Sequence, residues 1–155
     1  MTTEDLIVEA AALPQPSSEA VQEFAEKRER LVSLFNAEFG KRPDLARMIG
    51  ETNQLMMEDN HRNHARFMQS IFQFQAPKVL VDTILWVYRA YRSHGFTLAY
   101  WPAQLDSWVE LYRRELSPET FREIEPFYNW MIIRQPAFAE ASDGWIGPDP
   151  VHEFQ

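Results

Sequence analysis

The sequence predicts an all-α protein, and three observations carry that expectation. Apolar residues recur at steps of three, four and seven through most of the chain. No stretch alternates as a half-buried strand does. Serine, proline and glycine punctuate the pattern at helix-length intervals, as caps and stops should. About six to eight helices are expected in one domain spanning 1–155, with 1–16 as an N-terminal helical arm and 143–155 as a flexible or draped tail.

Residues 2–12 suit a short helix behind a Thr2 or Thr3 cap, which Pro14 and Pro16 then end. From Ser18, the residues Val21, Phe24, Leu31, Phe35 and Phe39 make a narrow apolar seam on a helix otherwise covered by charge, and Gly40 stops it. A helix starting near Pro43 and Asp44 carries Leu45, Met48, Ile49, Leu55 and Met56 toward Glu58 and Asp59, where Asn60 is expected to cap a new one. That next helix runs from about 61 to 74, and Pro77 opens another that Gly95 closes. The latter helix has few polar positions and is expected at the middle of the fold. Thr97 is expected to cap a helix bearing Trp101, Leu105, Trp108, Tyr112 and Leu116. Ser117 and Pro118 start the last one, in which Pro126 removes a backbone hydrogen bond. Beyond Pro136 the pattern fades.

Composition excludes several functions. The chain of 155 residues is long enough to bury one core, with roughly 70% of the unfolded surface removed from water. A net charge of −8 disfavours nucleic acid, whose phosphates need clustered cations. No run of about 20 apolar residues and no basic-then-apolar leader occurs, so a cytoplasmic protein without membrane attachment is expected. The absence of cysteine removes thiolate metal sites, thiol nucleophiles and thioether-linked cofactors. No glycine-rich phosphate loop or nucleophile elbow is present.

The stretch 60–95 concentrates what chemistry remains. His61 and His64 precede Phe67, Met68, Ile71 and Phe72 at helical spacing, so one stripe carries two imidazoles and then turns apolar. One reading is a core helix with a polar first turn. The other is the wall of a pocket for a flat apolar ligand, with the histidines at its mouth.

Within this stretch, Arg66 and Phe67, a break, then Val79, Leu80, Asp82, Leu85, Arg89, Tyr91 and a terminal Gly95 resemble the middle of phycobiliprotein subunits, which are globin-like all-helical proteins. The resemblance covers roughly forty residues. Similar globin-fold proteins include small globins associated with bilin biosynthesis and non-haem stressosome-type sensors. The resemblance implies a globin-like helical domain, a tetrapyrrole ligand (a bilin such as biliverdin, or haem) and a homodimer. Where the family attaches its bilin through cysteine this chain has Met57, and where an aspartate holds the pyrrole nitrogens it has Asn60. Either a noncovalent tetrapyrrole site or a globin shell without ligand is therefore implied.

In the ligand-bound case His61 and His64 would face the ring, Arg62 or Arg66, with Arg92 as a further candidate, the carboxylates, and Phe67, Met68 and Tyr88 the flat faces. His94, at the end of the helix that closes at Gly95, is poorly placed for axial ligation and suits a helix C-terminus. Enzymatic readings are weaker. Glu58 and His61 form a single Glu-x-x-His pair where di-iron bundles need two, and His61-x-x-His64 lacks a third zinc ligand. The expectation is a non-enzymatic binding or sensing module, with a ligand-free regulatory globin acting through partner binding as the alternative. Trp101, Trp108, Tyr112, Tyr128 and Trp130 exceed what one core needs and are expected to anchor a dimer.

Overall fold

The computed structural model describes residues 1–144, all of whose regular structure is helical. Eight helices form among them: α1 Thr3–Ala11, α2 Ser18–Phe39, α3 Leu45–Ile49, α4 Gln54–Gln73, α5 Pro77–Ser93, α6 Tyr100–Glu115, α7 Pro118–Ile133 and α8 Gln135–Asp143. No helix among the described residues is long and apolar enough to cross a membrane. Most of the expected tail, 145–155, lies outside the described residues.

Several ends form where local chemistry dictates. Thr2 and Asp5 make a reciprocal capping box at the start of α1, satisfying two of the backbone donors a helix leaves open. Pro77 and Pro118 sit in first turns, where a missing N–H costs nothing. At the end of α5 the chain needs a left-handed residue, and Gly95 takes φ +100°. The Gly95 N–H then reaches the Arg92 carbonyl and the Phe96 N–H that of Tyr91, the paired bonds of a Schellman motif.

Three boundaries differ from the sequence reading. The break expected at Asn60 occurs at 50–53 instead, where Gly50 at φ +88° ends α3 and the Asn53 amide bonds the carbonyls of Ile49 and His94. Asn60 is thus a mid-helix residue, drawn inward by a hydrogen bond to the Tyr100 hydroxyl. Thr97 does not cap α6: its N–H is taken by the Met48 carbonyl, and the helix starts three residues later. The segment after Ile133 forms α8, which Pro136 initiates and Phe138 and Ser142, one turn apart, bury.

The backbones sort into two groups. The long α2 runs beside α4, α6 and α7, and α6 and α7 pair with each other. The second group is α5 flanked by α1 and α8. The hub is therefore α2 and not α5 as its apolar sequence suggests. Helix α5 is buried on several sides because α1 and α8 cover its flanks, while large side chains hold its backbone away from α4 and α6. The segment expected to be an arm packs here, Leu6 being fully buried. A forked ion pair from Glu9 to Arg134, with the Trp130 indole donating to the same carboxylate, fixes α1 to the end of α7.

Helices α2 and α7 are joined by a reciprocal clamp. Ser17, the N-cap of α2, donates its N–H and hydroxyl to the Glu123 carboxylate at 2.7 and 3.0 Å. Ser117, the N-cap of α7, donates the same two groups to Glu23 at 2.8 and 2.6 Å. Each glutamate lies six residues beyond the cap of its own helix and bonds the cap of the other, so the two N-termini overlap head to head and each receives a carboxylate at its positive end. Thr120 and Lys27 add further donors to Glu23. Burial alone would raise the Glu23 carboxyl, but hydrogen bonds from Lys27, Ser117 and Thr120 outweigh it and hold the pKa near 2. Because the unfolded value is higher, the clamp stabilises fully above about pH 4.5 and is lost as pH falls toward 2. Glu23→Gln should cost about 1–3 kcal/mol in urea melts at pH 7 and reduce the loss of stability between pH 5 and 3; an unchanged pH profile would show that the clamp does not carry that dependence.

Candidate functional site

The seam between the two helix groups holds a cavity of about 90 Å³. Its walls come from α4 (Asn60, Asn63, His64, Arg66, Phe67, Met68), α5 (Leu80, Thr83, Ile84, Trp86, Val87, Tyr88, Tyr91) and α6 (Trp101, Gln104, Leu105), with Met131 and Phe138 behind. The surface is predominantly apolar. Arg66 is exposed at this wall and its guanidinium forms no ion pair among the described residues. Tyr88 stacks on Trp101 with ring centroids 4.7 Å apart, spanning from α5 to α6.

Of the residues singled out in the sequence, His64, Arg66, Phe67, Met68 and Tyr88 come together on this wall. Arg62 points away and pairs with Asp59, while Arg92 pairs with Asp143. His61 is also elsewhere. Three positions on a helix turn a side chain through about 300°, so His61 and His64 diverge by some 60° and serve different neighbours.

His61 is fully buried between α2 and α6, with the Phe35 ring edge-on to it at 4.5 Å. Its Nδ1 lies 2.6 Å from Asn36 Oδ1 and its Nε2 2.8 Å from the Tyr100 hydroxyl. The Asn60 amide donates to that same hydroxyl, leaving the hydroxyl proton for His61 Nε2. The proton on the ring is thereby assigned to Nδ1, which donates to Asn36. Burial holds His61 well below its ordinary pKa, with the neighbouring His64 acting in the same direction.

His64 has a separate partner chain. Its Nε2 lies 2.7 Å from the Tyr128 hydroxyl, which lies 2.7 Å from that of Tyr112. The ring stacks on Trp108 at 5.5 Å. Desolvation pushes its pKa down to about 3, so it meets the cavity as a neutral imidazole. A neutral imidazole can hydrogen-bond a ligand but offers no charge to a carboxylate.

Three wall residues, Thr83, Trp101 and Gln104, were not found from the sequence as ligand contacts, and together with Tyr88 they change the chemistry of the cavity. Thr83 Oγ1, the Tyr88 hydroxyl, Trp101 Nε1 and Gln104 Nε2 are buried without a hydrogen-bond partner among the described residues. Tyr88 was expected only as an apolar face. Each such orphan costs about 1–3 kcal/mol relative to a satisfied group. The available signal was a polar residue on an apolar stripe: Thr83 between Leu80 and Val87, and Gln104 three residues after Trp101.

Among the described residues, no group of three or more His, Asp or Glu is arranged to hold a metal. No protein-family model matches the chain, and no match occurs among curated proteins or solved structures. The aromatic residues expected to anchor a dimer are largely internal, Trp101, Trp108, Tyr112 and Tyr128 being buried and Trp130 partly so.

Two outcomes test this site's electrostatics. Both histidines titrate near 6.5 when unfolded and lower when folded, so the unfolded chain takes up protons first and stability falls as pH drops below 6.5. The slope approaches about 1.4 kcal/mol per pH unit for each histidine, and His64→Gln should remove about half of it in urea melts between pH 7 and 5. Tyr100→Phe deletes one hydroxyl but strands both Asn60 and His61, so it should destabilise by about 2–4 kcal/mol; a loss below that of an ordinary surface change would contradict the assigned network.

Proposed function

We propose that this protein is a non-enzymatic binding or sensing module that holds an organic ligand noncovalently in the seam between α4, α5 and α6. The observation that supports this reading is the coincidence of an apolar cavity with side chains whose polar atoms lack partners. Unpaired buried polar groups are rare in structures selected for stability alone, and they concentrate where a ligand completes them. Catalysis has less support. Neither imidazole is hydrogen-bonded to a carboxylate, and both are held neutral.

A tetrapyrrole is the ligand class implied by the resemblance to phycobiliprotein-related globins. Phe67, Met68 and Tyr88 would cover its faces, His64 would offer a hydrogen bond and Arg66 would meet a propionate at the edge. His61, Arg62 and Arg92 have no part in this arrangement, being engaged with Tyr100 and Asn36, with Asp59 and with Asp143. A whole tetrapyrrole exceeds 90 Å³, since pockets for ligands of that size run to about 300 Å³ or more. Its entry therefore requires α5 to move away from α4, a displacement opposed mainly by side-chain contacts because the two backbones are not closely packed.

Titration of the purified protein with biliverdin and, separately, with haem is the direct test. A saturable, shifted absorption band is expected, weakened at least tenfold by Val87→Trp, which fills the cavity from its half-exposed α5 wall. Spectra that are the simple sum of protein and pigment, for a protein shown to be folded by circular dichroism, would end the tetrapyrrole reading.

A further inference from the structure

The polar atoms that lack partners also specify what part of a ligand goes deepest. Trp101 Nε1–H and the Gln104 Nε2 amide are donors without acceptor capacity, and the hydroxyls of Thr83 and Tyr88 each bring a proton. All four belong to side chains of one wall system, two from α5 and two from α6. What they lack is an acceptor. That acceptor cannot be another of the four as they stand, since none of them bonds another.

Charge narrows the class further. Arg66, the one cationic residue on the wall among the described residues, is exposed and belongs to α4, whereas the donors belong to α5 and α6. An anionic group buried among neutral donors in an apolar surround would forfeit several kcal/mol of hydration, roughly, without a countercharge. A neutral carbonyl loses far less and accepts two hydrogen bonds. Size limits the rest of the buried portion. A void of about 90 Å³ admits one small ring, not an extended fused system.

We propose that the cavity selects ligands through a single small ring bearing an uncharged carbonyl, a lactam or ketone, which lodges in the seam and accepts hydrogen bonds from Trp101, Gln104, Thr83 and Tyr88. This rests on the ligand-binding reading above and gives it a direction. Any carboxylate of the ligand stays at the edge with Arg66. Of the two pigment classes considered, only the open-chain one ends in lactam carbonyls, so a bilin fits this chemistry and haem does not.

The test compares two molecules that differ in one atom group: cyclohexanone, which carries the acceptor, and methylenecyclohexane, which replaces the oxygen with CH₂. Binding is followed by the indole N–H resonance of Trp101, assigned with Trp101→Phe. Cyclohexanone should move that resonance downfield saturably, and Thr83→Val and Tyr88→Phe should each weaken its binding about fivefold to tenfold. Methylenecyclohexane should bind without the downfield shift and be insensitive to both substitutions. Each substitution removes only an unpartnered hydroxyl while keeping the shape, so both variants should fold at least as stably as the parent. If both molecules bind and the substitutions affect neither, the donors are not used and the proposal falls while the cavity reading survives. If neither binds, in parent or variants, the cavity does not open and both fall. A loss of stability in Thr83→Val would show that its hydroxyl is already satisfied by water, and would also overturn the proposal.

Discussion

Seating two neutral imidazoles against an aromatic core, His61 fully buried and His64 partly so, is the constraint on which the arrangement of the helices depends. His61 must find an acceptor for Nδ1 and a donor for Nε2 with no water at hand, and these come from α2 and α6. Asn60 then completes the Tyr100 hydroxyl from the same helix as His61. Three helices are thus held at one rotational setting, since a slip of one residue would swing the ring through about 100° and strand all four groups. Aromatic packing surrounds this point but would tolerate small rotations: Phe35 stacked on Trp108 at 3.8 Å and on Phe39 at 5.3 Å is contact without strict direction. Hydrogen bonds supply the direction.

The second imidazole extends the same logic toward the cavity. His64 is fixed by Tyr128 and Tyr112, from α7 and α6, so its ring is oriented by the fold itself. On one side of α4, therefore, the hydrogen-bond chains from His61 and His64 close on Asn36, Tyr100, Tyr128 and Tyr112, with only Trp108 Nε1 buried there without a partner among the described residues, and the helices α2, α6 and α7 lie close. On the other side the polar groups of α5 and α6 are left without partners and the backbones stand apart. The contrast is physical. One face of α4 is closed by hydrogen bonds and the other is spaced by the bulk of Phe67, Met68, Tyr88 and Trp101. Close packing concentrates in the first and the cavity lies in the second.

Much of the architecture was legible along the chain because it is set by local chemistry. The Ser117–Pro118 start, the Gly95 stop and the Ser18–Phe39 helix are governed by residues within a turn of the boundary. The errors arose where a distant group intervened. Asn60 looks like a cap, yet Tyr100, forty residues away, takes its amide. Thr97 looks like a cap, yet Met48 takes its N–H. The apolar sequence of α5 suggested the centre of the fold, but burial of a helix reports how many neighbours cover it and not which helix they share. Surplus aromatics suggested a dimer surface, and the interior absorbed most of them.

By itself the sequence determined the helical class, most helix limits, the exclusion of thiol chemistry and the stripe from His64 through Met68 that lines the cavity. Those depend on period, caps and composition, which are short-range properties. Tertiary structure alone decided that His61 and His64 part company, that Glu23 and Glu123 clamp each other's helix start, and that four donors from α5 and α6 are left unmatched in one place. Each of these is a pairing, or a missing pairing, between groups far apart in the chain. Whether a polar side chain finds its partner is fixed by which helices become neighbours, and no local pattern encodes that.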